Sequence, residues 1–313
     1  MPVCAPDMAT EGGAALLPHL PQVRGRYQVD VPLSSHTWFR VGGKADVVFK
    51  PADHEDLALF LKHKPTHVPY AILGVGSNIL VRDGGFSGVV IRLGPAFAQI
   101  IIHDDNTIDV GAGALDRTLA CRAADRGCTG FEFLSGIPGM MGGALRMNAG
   151  AYGTEIKDRF VFATAIDPKG RLHRLSASDM GFSYRHSDIP KDWIFIAARL
   201  QGEAGDSATI HTAMETLLAS RDAAQPVRAR TGGSTFANPQ DLSAWKLIDQ
   251  AGCRGLQRGG AQVSSKHCNF LINTGSATAT DLEDLGNEVQ KRVFETSGVM
   301  LRWEIERIGS GDV

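Results

Sequence analysis

The sequence lacks an excess of charge of either sign. Its 313 residues carry 32 Lys and Arg against 34 Asp and Glu, a formal net charge of -2. No global positive field is therefore available to hold a nucleic-acid backbone or an anionic membrane surface. Long apolar runs are missing too, since stretches such as Phe195-Ile196-Ala197-Ala198 fall far short of the roughly 20 residues a spanning helix needs. Cysteine is scarce and odd in number: Cys4, Cys121, Cys128, Cys253 and Cys268 form no C-x-x-C pair, and no His stands at zinc-ligand spacing, so no metal site is expected. A reducing cytoplasm fits that usage. The first twenty residues hold no Lys or Arg and no continuous apolar core, so they match neither a secretory nor a transit signal, and 1–20 is expected to be a flexible tail. What is abundant is glycine: 36 residues, about 12% against a usual ~7%.

Residues 45–113 read as short strands bounded by Gly, Asp or Asn: Ala45-Phe49, Tyr70-Leu73, Val89-Leu93, Gln99-His103 and Thr107-Val110. One helix interrupts them, opening at Asp53 with Glu55 and Asp56 in its first turn and closing with Lys62 and Lys64. A second helical pattern runs from Leu115 to Gly127, and strand character returns over Val161–His173. The polar stretch 202–206 reads as a linker. Three helices follow. The last carries a capping box at Thr280 and Glu283, an apolar stripe of Leu282, Leu285, Val289 and Val293, and Gly298 past its end. Strands grouped first and helices later predict an α+β chain. Its expected parts are a first domain over 21–205, a second over 206–298 and a terminal segment over 299–313.

Two glycine-rich segments suggest a place where backbone meets a ligand. Gly74-Val75-Gly76-Ser77-Asn78-Ile79 follows a strand, but Ile79 replaces the third glycine of G-x-G-x-x-G and no helix is expected after it, so it is not a Rossmann turn. Its amides suit an anion-binding nest, and Gly-Ser-Asn is equally a good turn. The run from Ser135 to Gly153 is long, small and glycine-rich. Ordering it costs entropy that little buried surface offsets, unless a bound pyrophosphate and ring system, or a set of tight turns in a sheet, holds it.

Trp38-Phe39-Arg40-Val41-Gly42-Gly43, the segment Gly74 to Ile91, Gly136 to Gly153, Tyr184-Arg185-His186-Ser187, Gly233-Ser234-Thr235-Phe236-Ala237-Asn238-Pro239 and Leu301-Arg302-Trp303-Glu304-Ile305 together resemble the UDP-N-acetylenolpyruvoylglucosamine reductases, in matching order over roughly residues 20–309. The resemblance implies a p-cresol methylhydroxylase-like FAD-binding domain and a C-terminal α+β substrate domain. It implies noncovalent FAD, NADPH as hydride donor, and reduction of UDP-N-acetylglucosamine enolpyruvate to UDP-N-acetylmuramate for bacterial peptidoglycan. By the same resemblance FAD contacts fall on Gly74, Gly76, Ser77, Asn78, Ile79, Ser135, Gly136, Ile137, Gly142, Gly143, Ala144 and Asn148, and substrate contacts on Tyr184, Asn238 and Lys266. Ala237 stands where the family usually has Lys, with Arg228, Arg230 or Lys266 as replacements for the charge, and Trp303 stands where Pro is common. The chain looks like the shorter family type without an inserted Tyr-bearing loop.

The implied chemistry assigns three catalytic residues. Hydride addition to an enol ether conjugated to a carboxylate leaves negative charge on the adjacent carbon and the carboxylate. Arg185 suits that carboxylate, because a guanidinium stays charged and forks onto two oxygens. Ser234 is the implied proton donor to the carbon. Glu304 stands near the end of the matched region, where it must be protonated or hydrogen-bonded beside an enolate. Taken without the resemblance, Arg185 is a surface ion-pair partner, Gly-Gly-Ser-Thr a turn and Glu304 an exposed strand residue. A flavin oxidase of the same fold keeps both glycine cradles but gives Ser234 and Glu304 no role, and a nucleotide-binding scaffold leaves all three residues idle.

Overall fold

Asp53 starts the first long helix by a local rule: its carboxylate accepts the Asp56 N–H at 3.0 Å, which satisfies an amide that His54–His63 would otherwise leave open. The structure, a computed structural model, describes residues 12–311. That helix covers a sheet ordered Arg26–Pro32, Lys44–Lys50, Phe86–Ile91, Tyr70–Ile72, in which the first pair is antiparallel and the others parallel. Along Lys44–Lys50 the register slips between Ala45 and Val47, and beyond the slip alternate residues face opposite ways. Val47 and Phe49 pack with Leu57 and Phe60, whereas Ala45 and Val48 pack with Leu33, Leu73 and Val81, so both faces are buried.

A second sheet is antiparallel throughout, in the order Leu172–Leu175, Phe160–Ile166, Ile194–Gln201, Thr107–Gly111, Ile100–Ile102. Its core takes in Leu119, Ala120, Ala123 and Ala124 from the helix Asp116–Asp125 and Ile210 and Met214 from the helix Ser207–Ala224. The third sheet, Arg230–Ser234, Phe270–Asn273, Ala261–Val263, Gln257–Arg258, lies under the stripe of Leu282, Leu285, Val289 and Val293 on the helix Ala279–Ser297. The α+β class expected from the sequence is the class observed. Among the described residues no helix is long and apolar enough to cross a membrane.

Four expectations need correction. Residues 1–11 lie outside the described residues, but 12–20 are no loose tail: Gly12–Leu16 is a helical turn, and Gly13 is buried with its N–H donating to Asp30 Oδ1 at 3.0 Å. The expected linker at 202–206 is stitched into the first domain, since Glu203–Ala204 pairs with Cys128–Thr129 and the next helix completes the first core. The change of core falls instead just after Ala224. The last helix is capped by Thr278 and Asp281, not by Thr280 and Glu283. Finally, 299–313 is no separate segment, because Leu301 and Ile305 belong to the second core, Arg302–Trp303 pairs with Phe236–Ala237, and Glu306–Ile308 runs parallel beside Ile79–Val81.

The two domains interlock through that parallel pair. Asp83, in the first, accepts the amides of Ala279 and Thr280 at 2.9 and 2.8 Å and so caps the helix Ala279–Ser297 of the second. Glu283 in turn accepts from both Arg82 and Arg307.

Candidate active site

The first glycine segment follows the strand Tyr70–Ile72, and the N–H groups of Gly74, Val75, Gly76, Ser77 and Asn78 donate to no described protein acceptor. A row of free amides is an anion-binding surface. Gly76 is needed there: its φ is +71°, and a methyl group would collide with the His36 carbonyl oxygen while Gly76's own carbonyl accepts the Trp38 N–H at 2.9 Å. Ile79 leaves the nest as the first residue of the strand Ile79–Val81.

The second segment behaves differently. Gly139, Gly142 and Gly143 donate their N–H groups to Ile137, Ala112 and Met140, and Met141–Arg146 winds into a short helix that the sequence reading missed. It forms a self-satisfied wall. Both segments border one cleft of about 600 Å³, lined by Trp38, Val75, Ser135, Ile137, Pro138 and Gly139 on one side and by Leu218 and Arg221 of the helix Ser207–Ala224 on the other. Arg117, at the start of the helix Asp116–Asp125, also lines it. Free amides, two guanidinium groups and a mostly apolar wall suit a ligand with a diphosphate and flat rings, so these residues fit FAD. Trp38, Arg117 and Arg221 were not among the sequence candidates. The two arginines carry no local signal, because the fold alone brings them to the cleft.

The other expected cofactor contacts differ in their surroundings. Asn148 is 0% exposed; its amide donates to Glu155 and the Ser183 carbonyl and its oxygen accepts from Lys157 N–H, so it holds the loop in shape. Ala144 turns into the first core. Gly142 packs on Ala112, with a methyl group there 3.2 Å from the Ala112 side chain. Gly136 has room beside Tyr152 and Arg221, and nothing lies within 4 Å of the corresponding position on Gly143. Ser135 donates its hydroxyl to the Glu132 carbonyl at 2.6 Å and keeps lone pairs for the cleft.

Next to the nest lies a charge cluster. Arg185 Nε donates to Glu304 Oε1 at 3.0 Å, and Nη2 donates to the Gly150 carbonyl at 2.9 Å. The guanidinium sits 5.0 Å from the Tyr184 ring, and the turn is closed by reciprocal hydrogen bonds between Ser183 and His186. Arg185 has φ +55°, a left-handed conformation that an Arg rarely adopts and that packing here enforces. Burial raises the pKa of Glu304, with Arg185 and Arg302 acting in the opposite direction. The carboxylate is set by its backbone: Glu304 N–H donates to the Thr235 carbonyl at 2.8 Å, and its own carbonyl accepts from Asn78 Nδ2 at 3.1 Å. Trp303 fixes the preceding residue by donating Nε1–H to Gln290 and stacking 5.2 Å from Phe236.

Ser234 lies one residue before that Thr235 carbonyl, at a strand irregularity, and its hydroxyl has no hydrogen bond to a described residue. A methyl group on Gly233 would stand 3.9 Å from the Ser77 carbonyl oxygen, so this turn faces the nest directly. Thr235 and Asn269 lock it from behind, with Asn269 Oδ1 accepting Phe236 N–H at 3.0 Å. Nest, serine, carboxylate and arginine therefore meet where the domains join. Asn238 and Lys266 are held apart from this cluster. Asn238 Oδ1 accepts the Ala244 N–H at 2.9 Å, which leaves only its amide free, and Lys266 Nζ donates to the Asp222 carbonyl, so its charge is engaged at the helix end. Ala237, where the family carries Lys, is buried and pairs with Arg302, the charge that acts on Glu304.

Two family models match the chain: a FAD binding domain over residues 45–176, and the C-terminal domain of UDP-N-acetylenolpyruvoylglucosamine reductase over 225–308. The chain is 58% identical over 290 residues to the UDP-N-acetylenolpyruvoylglucosamine reductase of Paramagnetospirillum magneticum, covering 93% of this chain and 94% of the relative. It is 56% identical to that of Parvibaculum lavamentivorans, covering 96% and 97%. Among solved structures the reductase of Thermus caldophilus superposes with a TM-score of 0.79 at 33% identity, covering 91% of this chain and 99% of that one.

Proposed function

The chain belongs to the UDP-N-acetylenolpyruvoylglucosamine reductase family, and from that premise we propose how its residues divide the work. It is an oxidoreductase that uses FAD and NADPH to reduce UDP-N-acetylglucosamine enolpyruvate to UDP-N-acetylmuramate, a step of peptidoglycan synthesis. FAD held in the cleft would supply the hydride chemistry that links NADPH to the enolpyruvyl double bond. Everything else falls to this chain. The free amides of Gly74 to Asn78, with Arg117 and Arg221, bind and orient the anionic part of the cofactor.

Arg185 binds the enolpyruvyl carboxylate and opposes the charge that grows there as hydride arrives. Its grip on the Gly150 carbonyl and the ring of Tyr184 fixes the guanidinium plane, so little reorganisation is needed in the transition state. Ser234 gives its hydroxyl proton to the carbon beside the carboxylate, which completes addition of one hydride and one proton across the double bond. Glu304, whose pKa burial raises while Arg185 and Arg302 oppose the rise, keeps Arg185 aligned through their hydrogen bond. Tyr184 and the free amide of Asn238 are substrate contacts in this reading, whereas Lys266 acts by holding the helix Ser207–Ala224 against the second domain. We place the reaction in the cytoplasm, a reading supported by Cys121, Cys128, Cys253 and Cys268 all being free thiols.

The observation that carries this reading is the Arg185–Glu304 pair seated against Asn78 and Thr235. The test is anaerobic: reduce the flavin with NADPH, then add the enolpyruvyl substrate. Reoxidation by that compound is expected. Reoxidation by oxygen alone would overturn it.

A further inference from the structure

Arg302 stands beside the charge cluster without a part in the chemistry assigned to Arg185, Ser234 and Glu304. In the strand pair that joins the chain end to the second domain, Phe236 faces Trp303 and Ala237 faces Arg302. The rings of Phe236 and Trp303 stack 5.2 Å apart and pack on the second core. Successive residues of a strand point to opposite faces, so Ala237 and Arg302 project away from that core. Glu304, two residues on, returns to the face of Arg302, and the pairing still holds it, since its N–H donates to the Thr235 carbonyl at 2.8 Å. Two strand residues set their Cα atoms about 6.6 Å apart. At that range the charge of Arg302 acts on the Glu304 carboxyl.

The guanidinium is otherwise uncommitted. Arg185 pairs with Glu304 and Arg307 with Glu283, whereas Arg302 is exposed and forms no ion pair or side-chain hydrogen bond among the described residues. Ala237 across from it is a single buried methyl group, so nothing on the facing strand competes for it. The other cations expected at this end of the site are placed differently. Lys266 is held at the Asp222 carbonyl, and Arg230 pairs with Asn273 at the far end of its strand.

The substrate carries two anionic groups on one sugar ring, the enolpyruvyl carboxylate and the diphosphate. Arg185 takes the first. A second guanidinium, free of carboxylates and on the face of the residue that aligns Arg185, is placed for the other, because its fork matches phosphate oxygens. We infer that Arg302 binds the diphosphate of the uridine nucleotide substrate, supplying from the strand Arg302–Trp303 the positive charge that Ala237 does not. The inference rests on the proposed function.

Oxidised holoenzyme does not turn over, so its affinity for UDP-N-acetylglucosamine enolpyruvate can be read by titration from the change in flavin absorbance. Arg302→Ala is expected to weaken binding about tenfold and Arg302→Lys less than about threefold, with the loss shrinking at high salt. Adding Ala237→Lys to Arg302→Ala returns the charge across the strand pair and should restore most of the affinity. An Arg302→Ala protein that binds as tightly as the wild type overturns the inference. So does a displaced pH profile of substrate reoxidation at unchanged affinity, which would assign Arg302 to Glu304 alone. Should the double variant fail to fold, Arg302→Ala and Arg302→Lys decide between them. A wild type that shows no absorbance change and whose reduced flavin the substrate does not reoxidise refutes the proposed function itself, a failure distinct from a substrate-competent protein indifferent to Arg302.

Discussion

The cradle and the charge cluster meet at Asn78, yet they are made of opposite materials. From Gly74 to Asn78 the groups left without partners are backbone amides, and the side chains are mostly small. Around Glu304 the working groups are long side chains, each pinned by hydrogen bonds that leave it few alternative positions. The difference teaches what each must tolerate. A cofactor that stays bound needs shape, whereas a charge that appears for an instant needs a counter-charge already in place.

Ser234→Ala breaks the comparison most sharply. Loss of a positioned acid costs ~10²–10⁴-fold, so reoxidation of reduced flavin by the enolpyruvyl substrate should fall by that amount while FAD content and reduction by NADPH persist. Stopped-flow measurement of the two half-reactions checks it. Arg185→Ala should lower the same half-reaction by about 10²–10³-fold, the usual loss for one transition-state donor. An equal loss in reduction by NADPH would assign Arg185 to the fold or the flavin.

On the cradle side the two glycine segments separate. Gly76→Ala must strain a positive φ and push against the His36 carbonyl, so it should weaken FAD retention at least about tenfold, a cost in line with ~1–2 kcal/mol for a left-handed residue. Gly143→Ala meets nothing within 4 Å and should leave the melting temperature unchanged. Fluorescence of released flavin and thermal melting distinguish the pair.

A further effect tests the joint between the domains. Arg82, then Arg307, hold Glu283 below its usual pKa. A depressed carboxyl stabilises the fold above its unfolded pKa of about 4.3, and that contribution is lost as pH falls through the lower folded value. Glu283→Gln should therefore cost about 1–3 kcal/mol at neutral pH and nothing in strong acid, as a melting comparison at the two pH values will show.

Much of this was legible in sequence, but only where the signal was local. Asp53 caps its helix three residues on, the stripe from Leu282 to Val293 is buried as its spacing implies, and Gly298 ends that helix at φ +71°. The two glycine segments also border one cleft. Their difference was not legible, because whether an amide is free depends on what Ala112 and Met140 offer it. The cap on the last helix was misread because Asp83 reaches its amides from far along the chain and occupies Thr280. The boundary near 205 failed for a similar reason: a polar, glycine-bearing stretch is as good for a strand bridge with Cys128–Thr129 as for a linker. Arg185's backbone conformation leaves no trace in composition at all.

The parallel pairing of Glu306–Ile308 with Ile79–Val81 also sets an order of assembly. The residues that close this edge are synthesised more than two hundred positions after the strand they join, and contacts so distant in sequence form late. A nascent chain can complete its flavin cradle while Glu304 is still unmade. The enzyme thus passes through its own birth without the carboxyl group that holds Arg185 in line.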